Sequence, residues 1–417
     1  MASLKKIIHF LLAYAAYWWY GRPARKLIVV GVTGTKGKST TCRLVASVLE
    51  AGGNKVGLLT TVEFQIADKR WLNDKKMTML GRGKIQSMLK QMVKAGCKYA
   101  VVETSSEGIL QYRHIGLNYN TVVFTNLGTE HSERHGGFEN LKKDKAKIFT
   151  KAKVIVANLD DQYADYFLSF PADEKWGFGI KATESRIMNH ELRAIDIVSD
   201  NNGVRFMIHN SKFIIHLLGK FNVYNALAAI AVGRSQKISD DKIADGLASV
   251  KLVEGRMELI NAGQDFKVIV DYAHEPMSLT ELFKSLREII PEGRKTISVI
   301  GSDGGGRDKG KREKMGEVAG RLTDYVVITD VNCYDEDPRA IAEMLAKGAR
   351  LAGKKDNVDL FIIIDRRQGI IKAISLAGAG DAVAITAKGT EPYIAIANGQ
   401  KISWDDRKVA REILNNI

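Results

Sequence analysis

The segment Gly31-Val-Thr-Gly34-Thr35-Lys36-Gly37-Lys38-Ser39-Thr40 gathers glycines, lysines and hydroxyls at a spacing suited to a phosphate group. Glycines let the backbone curl so that successive N–H groups face an anion. Lys38 can then reach terminal phosphates, and the hydroxyl of Ser39 or Thr40 can ligate Mg²⁺. The chemistry this permits is binding of ATP with Mg²⁺; the loop does not name the reaction. Further on, Glu103 and His131 are a carboxylate and an imidazole acceptable to a divalent cation, although such groups serve equally as helix caps or surface polar groups. Lys145, by itself, reads as one more solvated lysine. In the second half, Asp271-Tyr-Ala-His274 sits at a strand end, and the run from Gly301 to Gly310 carries charges of both signs among glycines. There a backbone can approach a ligand closely while Arg307 and Lys309 neutralise phosphate or carboxylate, a mobile surface loop being the alternative. Lys388-Gly-Thr-Glu391 forms a third candidate.

The elements that must position these residues follow from hydrophobic patterning. Short β-rich runs at 26–32, 55–60, 99–103, 121–126 and 154–158 alternate with helical stretches, including 41–51 and 139–150. Such alternation predicts parallel strands with crossover helices, a doubly wound α/β sheet whose ligands sit beyond the carboxyl ends of the strands. Runs at 195–199, 204–209 and 213–217 alternate more strictly and predict a small antiparallel patch, followed by a helix over 223–232. Strand patterns at 267–271, 296–301, 325–329, 360–364 and 382–386 predict a second, Rossmann-like α/β unit. The expected organisation is an apolar N-terminal helix (1–25), a central P-loop ATP-binding domain (26–252) and a C-terminal domain (253–417).

A chain of 417 residues with 45% hydrophobic content exceeds one ordinary core and fits two or three domains. The net charge of +14 and pI near 9.4 suit a nucleic acid, a membrane surface or a polyanionic small substrate. The densest basic cluster, Lys142, Lys143, Lys145, Lys147, Lys151 and Lys153, has no interleaved aromatic ladder. No nucleic-acid partner is therefore expected. Cys42, Cys97 and Cys333 lie far apart without CxxC spacing, which argues against a disulfide framework and a zinc cluster and suggests a cytoplasmic setting. Residues 7–20 form an apolar, aromatic-rich run flanked by Lys5, Lys6, Arg22 and Arg25. The run is shorter than the roughly 20 residues a spanning helix needs and is not followed by a small-residue cleavage site. It reads either as a helix packed on the protein body or as an interfacial, membrane-peripheral element.

In ordered combination, GVTGTKGKSTT (31–41), ETSSEGILQYR (103–113), TNLGTEHSERHGGFENLKKDKAKIF (125–149), GKFNVYNALAAIA (219–231), VEGRMELI (253–260), VDYAHEP (270–276), GGGRDKGKR (304–312), DEDP (335–338) and AKGTEPY (387–393) resemble the Mur ligases. The resemblance is nearest to the MurE type, which adds an amino acid to UDP-MurNAc-L-Ala-D-Glu in peptidoglycan precursor synthesis. It implies a monomeric ATP- and Mg²⁺-dependent ligase working through an acyl phosphate on a muropeptide-like acceptor and an amino acid. A ligase for a different carboxylate acceptor, like folylpolyglutamate synthase, and a non-catalytic nucleotide-binding partner are the alternatives. By the same resemblance, Gly34, Thr35, Lys36, Gly37, Lys38, Ser39 and Thr40 hold the phosphates, and Ser39, Glu103, His131 and a carbamylated Lys145 hold metal. Asn222 and Asn225 match the adenine side, Arg256 a phosphate contact and Asp271 the ribose contact. Ser105, Ser106 and Arg113 match the muropeptide side, and Lys309, Asn332 and Glu391 the incoming amino-acid side. Two departures stand out. Only residues 1–25 precede the ATP domain, where MurE enzymes carry a uridine-gripping domain. The Asp-Asn-Pro-Arg of diaminopimelate-adding members reads Asp330-Val331-Asn332-Cys333-Tyr334, lacking the arginine and pointing to lysine or another amino acid.

Overall fold

A computed structural model describes residues 2–128, 132–181, 187–306 and 308–416, with side chains from residue 7 onward. Two compact units divide the chain: Met1–Val198 with Gly203–Lys251, and Leu252–Ile417 with Ser199–Asn202.

The first unit is built on a nine-stranded sheet. Its order is Lys69–Leu72, Glu63–Ile66, Val56–Leu59, Tyr99–Glu103, Ile28–Thr33, Tyr119–Phe124, Val154–Asn158, Glu174–Gly179 and His190–Arg193. The last seven run parallel, and the first two form an antiparallel edge hairpin. Central strands are buried on both faces and accordingly read as near-continuous apolar runs; Val29, Val30, Val101, Val122 and Ile155 are fully buried. The helix Lys38–Ala51 follows the first strand directly and buries Leu44, Val45, Val48 and Leu49 against Asn222–Ser235 and Asp240–Ser249. Asn222–Ser235 is small and apolar on every side, the pattern of a helix inside a core. The alternating runs form a three-stranded antiparallel sheet, Ile195–Asp200, Gly203–Ile208 and Ser211–Ile215.

Several boundaries differ from expectation. The helix expected from Thr41 starts at Lys38, and that expected over 139–150 spans Phe138–Ala146, continuing as i,i+3 turns through Phe149. The edge hairpin and the strands Glu174–Gly179 and His190–Arg193 went unread, because charged and glycine-broken segments lack the apolar run of a central strand.

The second unit holds a six-stranded sheet in the order Glu258–Ile260, Lys267–Val270, Ala382–Ile385, Thr296–Ile300, Tyr325–Ile328 and Leu360–Ile362. All neighbours are parallel except the first pair. Val268, Val270, Val299, Val327 and Ile385 form its core with Ile370 and Ala410 from the covering helices. Both units thus carry the α/β architecture expected, with loops at the carboxyl ends of parallel strands available for ligands.

At the N-terminus the helix Ala2–Trp19 packs against Arg82–Lys94. Among the described residues, no helix is long and apolar enough to cross a membrane.

Candidate active site

In the first unit the loop between the strand Ile28–Thr33 and the helix Lys38–Ala51 is shaped by glycines with left-handed backbone, Gly34 at φ 151° and Gly37 at φ 77°. Neither tolerates a side chain: a Cβ on Gly34 would fall 2.0 Å from Thr125 Oγ1, and one on Gly37 would fall 2.4 Å from Asn225 Oδ1. The loop is anchored from the neighbouring strand. Lys36 N–H donates to Asn126 Oδ1 at 2.8 Å, Thr125 hydroxyl donates to Lys36 O at 2.7 Å, and Thr35 N–H donates to Asn126 O at 2.9 Å. Asp161 in turn accepts from Leu127 N–H at 2.8 Å and is pushed above the usual carboxylate range by burial.

At the head of the helix, Ser39 hydroxyl donates to Glu103 Oε2 at 2.8 Å. Glu103 is buried and also accepts from Thr61, through its N–H to Oε2 at 2.8 Å and its hydroxyl to Oε1 at 2.9 Å. Lys38 Nζ donates to Thr35 O at 2.9 Å, and Lys145, buried on the helix Phe138–Ala146, donates to Gly34 O at 2.9 Å. Two ammonium groups and one carboxylate thus converge on a single glycine loop. Behind it, Thr41 hydroxyl donates to Asn225 Oδ1 at 3.0 Å, Asn225 to Asn222 Oδ1 at 2.8 Å, and Asn222 to Leu218 O at 2.7 Å. The two asparagines therefore tie the loop helix to Asn222–Ser235. His131 lies outside the described residues, as does Arg307.

The donor set at Ser39 and Glu103 consists of hard oxygens, one hydroxyl and one carboxylate, which suits Mg²⁺: that ion takes one or two protein oxygens and completes its shell with water and phosphate. Among the described residues no group of three His, Cys, Asp or Glu side chains forms a metal cage. Cys42 lies at the same place, and burial together with Glu103 pushes its thiol up, which leaves it protonated and unsuited to nucleophilic chemistry.

Beyond Glu103 the chain turns into the short helix Ser106–Leu110, capped by Ser105 Oγ accepting from Gly108 N–H at 3.1 Å. Arg113 donates to Met79 O and, at 2.6 Å, to Gln111 Oε1. Arg82, absent from the sequence reading, donates to Gln111 O at 2.7 Å, and its charge and that of Arg113 repel. Burial lowers both guanidinium pKa values, and the Nε of each is buried with no hydrogen-bond partner. Paired, partly desolvated guanidinium groups suit a carboxylate ligand. Thr61 and Arg82 sit in no recognisable spacing, and Thr125 and Asn126 are marked in the sequence only as the end of the strand pattern 121–126.

In the second unit, Arg256 stacks over the Tyr272 ring at 4.6 Å from its centroid and donates to Gly255 O at 2.9 Å. Asp271 accepts Met257 N–H and Ala273 N–H, each at 2.7 Å, so Arg256 and Asp271 are brought together. Asn332 donates to Asp303 Oδ1 at 2.7 Å and to Glu391 Oε2 at 3.1 Å. Fully buried Lys388 donates to Glu391 Oε2 at 3.0 Å and to Tyr393 O at 2.8 Å. Lys309 reaches Glu336 at 3.4 Å, and Arg312 links Glu336 at 3.1 Å to Asp303 O at 3.0 Å. Arg312 and the Gly306 N–H hold Glu336 down to about 2. Asp330 is pushed up by burial, with Oδ1 unpartnered, and Cys333 is raised to about 11 by burial and Asp330.

Comparison with known proteins bears on this arrangement. Family models for the Mur ligase middle domain and for the Mur ligase, glutamate ligase domain match residues 32–233 and 255–389. The UDP-N-acetylmuramyl-tripeptide synthetase of Roseiflexus sp. (strain RS-1) is 37% identical over 97% of this chain and 82% of its own. The UDP-N-acetylmuramoyl-L-alanyl-D-glutamate--2,6-diaminopimelate ligase of Syntrophomonas wolfei is 35% identical over 97% and 81%. A solved structure of a ligase of that same name, 29% identical, aligns at a TM-score of 0.63 over 94% of this chain and 78% of its own. Mycobacterium tuberculosis folylpolyglutamate synthase complexed with ADP, 17% identical, shares the fold at a TM-score of 0.70 over 91% of each chain.

Proposed function

The chain belongs to the Mur ligase family, and from that premise we propose that it is an ATP-dependent ligase of the MurE type, joining an amino acid to the D-Glu carboxylate of UDP-MurNAc-L-Ala-D-Glu in peptidoglycan precursor synthesis. The observation that carries this reading is the glycine loop on which Ser39, Glu103, Lys38 and Lys145 converge. In the reaction, the acceptor carboxylate attacks the γ-phosphorus of ATP, ADP leaves, and an acyl phosphate forms. The amine of the incoming amino acid then attacks the acyl carbon and inorganic phosphate departs. Two anions must meet in the first step, so the protein's work is positioning and charge neutralisation.

The backbone N–H groups of residues 37–40 cradle the phosphates, while those of Thr35 and Lys36 stay on Asn126 and hold the loop's shape, with Lys38 turning from Thr35 O to the β/γ oxygens. Mg²⁺, when held by Ser39 and Glu103 with His131, offsets charge between phosphate and carboxylate. Lys145 acts in carbamylated form: its amine adds CO₂ and loses a proton, converting a donor into an anionic oxygen ligand. Asn222 and Asn225 border the adenine, Asp271 takes the ribose and Arg256 a phosphate. Ser105, Ser106, Arg113 and Arg82 receive the acceptor, and Lys309, Asn332 and Glu391 the amino acid. These contacts divide the chain functionally into 1–25, 26–252 and 253–417. The enzyme works as a monomer in the cytoplasm, in peripheral contact with a membrane through residues 7–20.

Phosphate release with ATP, Mg²⁺ and UDP-MurNAc-L-Ala-D-Glu, measured across lysine, ornithine and meso-diaminopimelate with product mass, tests the reading. Turnover with one amino acid and the matching mass gain are expected. No turnover from protein that still binds ATP would overturn the acceptor assignment.

A further inference from the structure

The Ala2–Trp19 helix turns its apolar side away from the protein. Among its described side chains only Ala13 and Tyr17 are buried. Tyr17 is fitted closely: a Cβ on Gly116 would fall 2.4 Å from its ring, and Asn118 donates to its hydroxyl at 3.4 Å. Meanwhile Ile7, Ile8, Leu11, Leu12, Trp18 and Trp19 are exposed, Leu11 by 59% and Trp19 by 84%. A helix resting on a water-soluble body shows the opposite arrangement, and a contiguous exposed apolar face marks a contact site.

Charge says what covers it. No acidic residue occurs before Glu50, and none lies between Asp74 and Glu103. The helix Arg82–Lys94, against which the apolar helix packs, therefore carries basic side chains and no acidic ones. Arg25, Lys26, Lys84, Lys90 and Lys94 are exposed, with Lys90 Nζ 5.9 Å from the Tyr20 ring centroid at the tryptophan end. Aromatic rings at one end, aliphatic side chains along one face and an acid-free basic flank are the features of a helix lying in the headgroup region.

We propose that this face lies on an anionic phospholipid bilayer, the helix parallel to the surface and the Arg25–Lys26 and Lys84–Lys94 cations against lipid phosphates. The Phe10 ring sits 5.5 Å from that of Tyr112, next to Arg113. Docking therefore holds the acceptor-side segment Ser105–Arg113 at the bilayer, a consequence that rests on the ligase reading above.

The test is flotation of the full chain with vesicles of phosphatidylglycerol and phosphatidylcholine, against phosphatidylcholine alone, at low and high salt, with solution mass measured in parallel. Partition onto the anionic vesicles, weakened by salt, is expected. The variant Leu11→Ala/Trp18→Ala/Trp19→Ala should lower it by about tenfold or more, and Lys90→Gln/Lys94→Gln should lower it only on anionic vesicles. Phosphate release without vesicles should be unchanged in the first variant, which shows that it folds. Absence of partition, partition of both variants equal to that of the parent chain, or a dimer that the triple variant converts to monomer without vesicle binding each overturns the proposal; the last assigns the face to a second copy. Turnover without vesicles reports on the ligase reading separately.

Discussion

Glu103 shows how much a single carboxylate here depends on its neighbours. Three donors from Ser39 and Thr61 fix both its oxygens, so its position precedes any ligand. Lys145 is its counterpart, a buried cation against the loop carbonyl of Gly34. If Lys145 acts in the transfer, Lys145→Ala should lower phosphate release by about 10²-fold or more while fluorescent ATP-analogue binding stays within a few fold; unchanged turnover removes it from the site. His114 carries a second residue-scale prediction. Its Nδ1 is buried without a partner, and burial, with Lys147 adding to it and Asp144 opposing it, lowers its pKa to about 4. The unfolded chain therefore binds this proton more readily. Stability is intact above about 6.5 and falls as pH drops toward 4, by about 3 kcal/mol at most. Urea unfolding at pH 7 and pH 4.5 should show this loss in the parent and a smaller one in His114→Gln. Sequence patterning made Gly34–Thr40 legible because a phosphate loop is local. Lys145 became legible only through resemblance, since what distinguishes it from its lysine neighbours is burial. Thr61, 42 residues from the carboxylate it holds, left no trace in the spacing.

Among the elements, the loop owes its shape to a different strand end. Thr125 and Asn126, at the end of Tyr119–Phe124, accept from or donate to Thr35 and Lys36, so strand register and loop geometry are one arrangement. Removing the Asn126 amide strands the Lys36 N–H at a cost of about 1–3 kcal/mol. Asn126→Ala should accordingly weaken ATP binding by about tenfold or more in a titration with the analogue, with the circular dichroism spectrum unchanged; parental affinity would show that the loop holds itself. Legibility at this scale follows burial. Strands covered on both faces, such as Tyr99–Glu103 and Thr296–Ile300, read as apolar runs. Lys69–Leu72, exposed along its length, is a strand because Glu63–Ile66 offers it a ladder, which no local pattern announces.

Across the whole molecule, the excess of 62 basic over 48 acidic residues has a kinetic consequence. ATP and a UDP-linked muropeptide are both polyanions, and a net charge of +14 draws them inward over distances comparable to the screening length, about 10 Å at about 0.1 M salt. The incoming amino acid, a zwitterion or a molecule of small net charge, gains little from the same field. Raising ionic strength from about 0.05 M to about 0.5 M shortens the screening length severalfold. It should therefore lower kcat/KM for ATP and for the acceptor by several fold, leaving kcat and the amino-acid KM nearly constant. The discriminating readout is this split: a fall in kcat would mean that salt disturbs the assembled site, and salt-independent kcat/KM for both anions would mean that the surplus charge is spent elsewhere on the surface. Within the first unit, Lys38 and Lys145 converge on the glycine loop beside Glu103, and Arg82 and Arg113 stand together beyond it; the proposed function assigns these cations to the anionic substrates. The field that steers the substrates and the groups that hold them then share one sign, so capture needs no reversal of polarity between encounter and reaction.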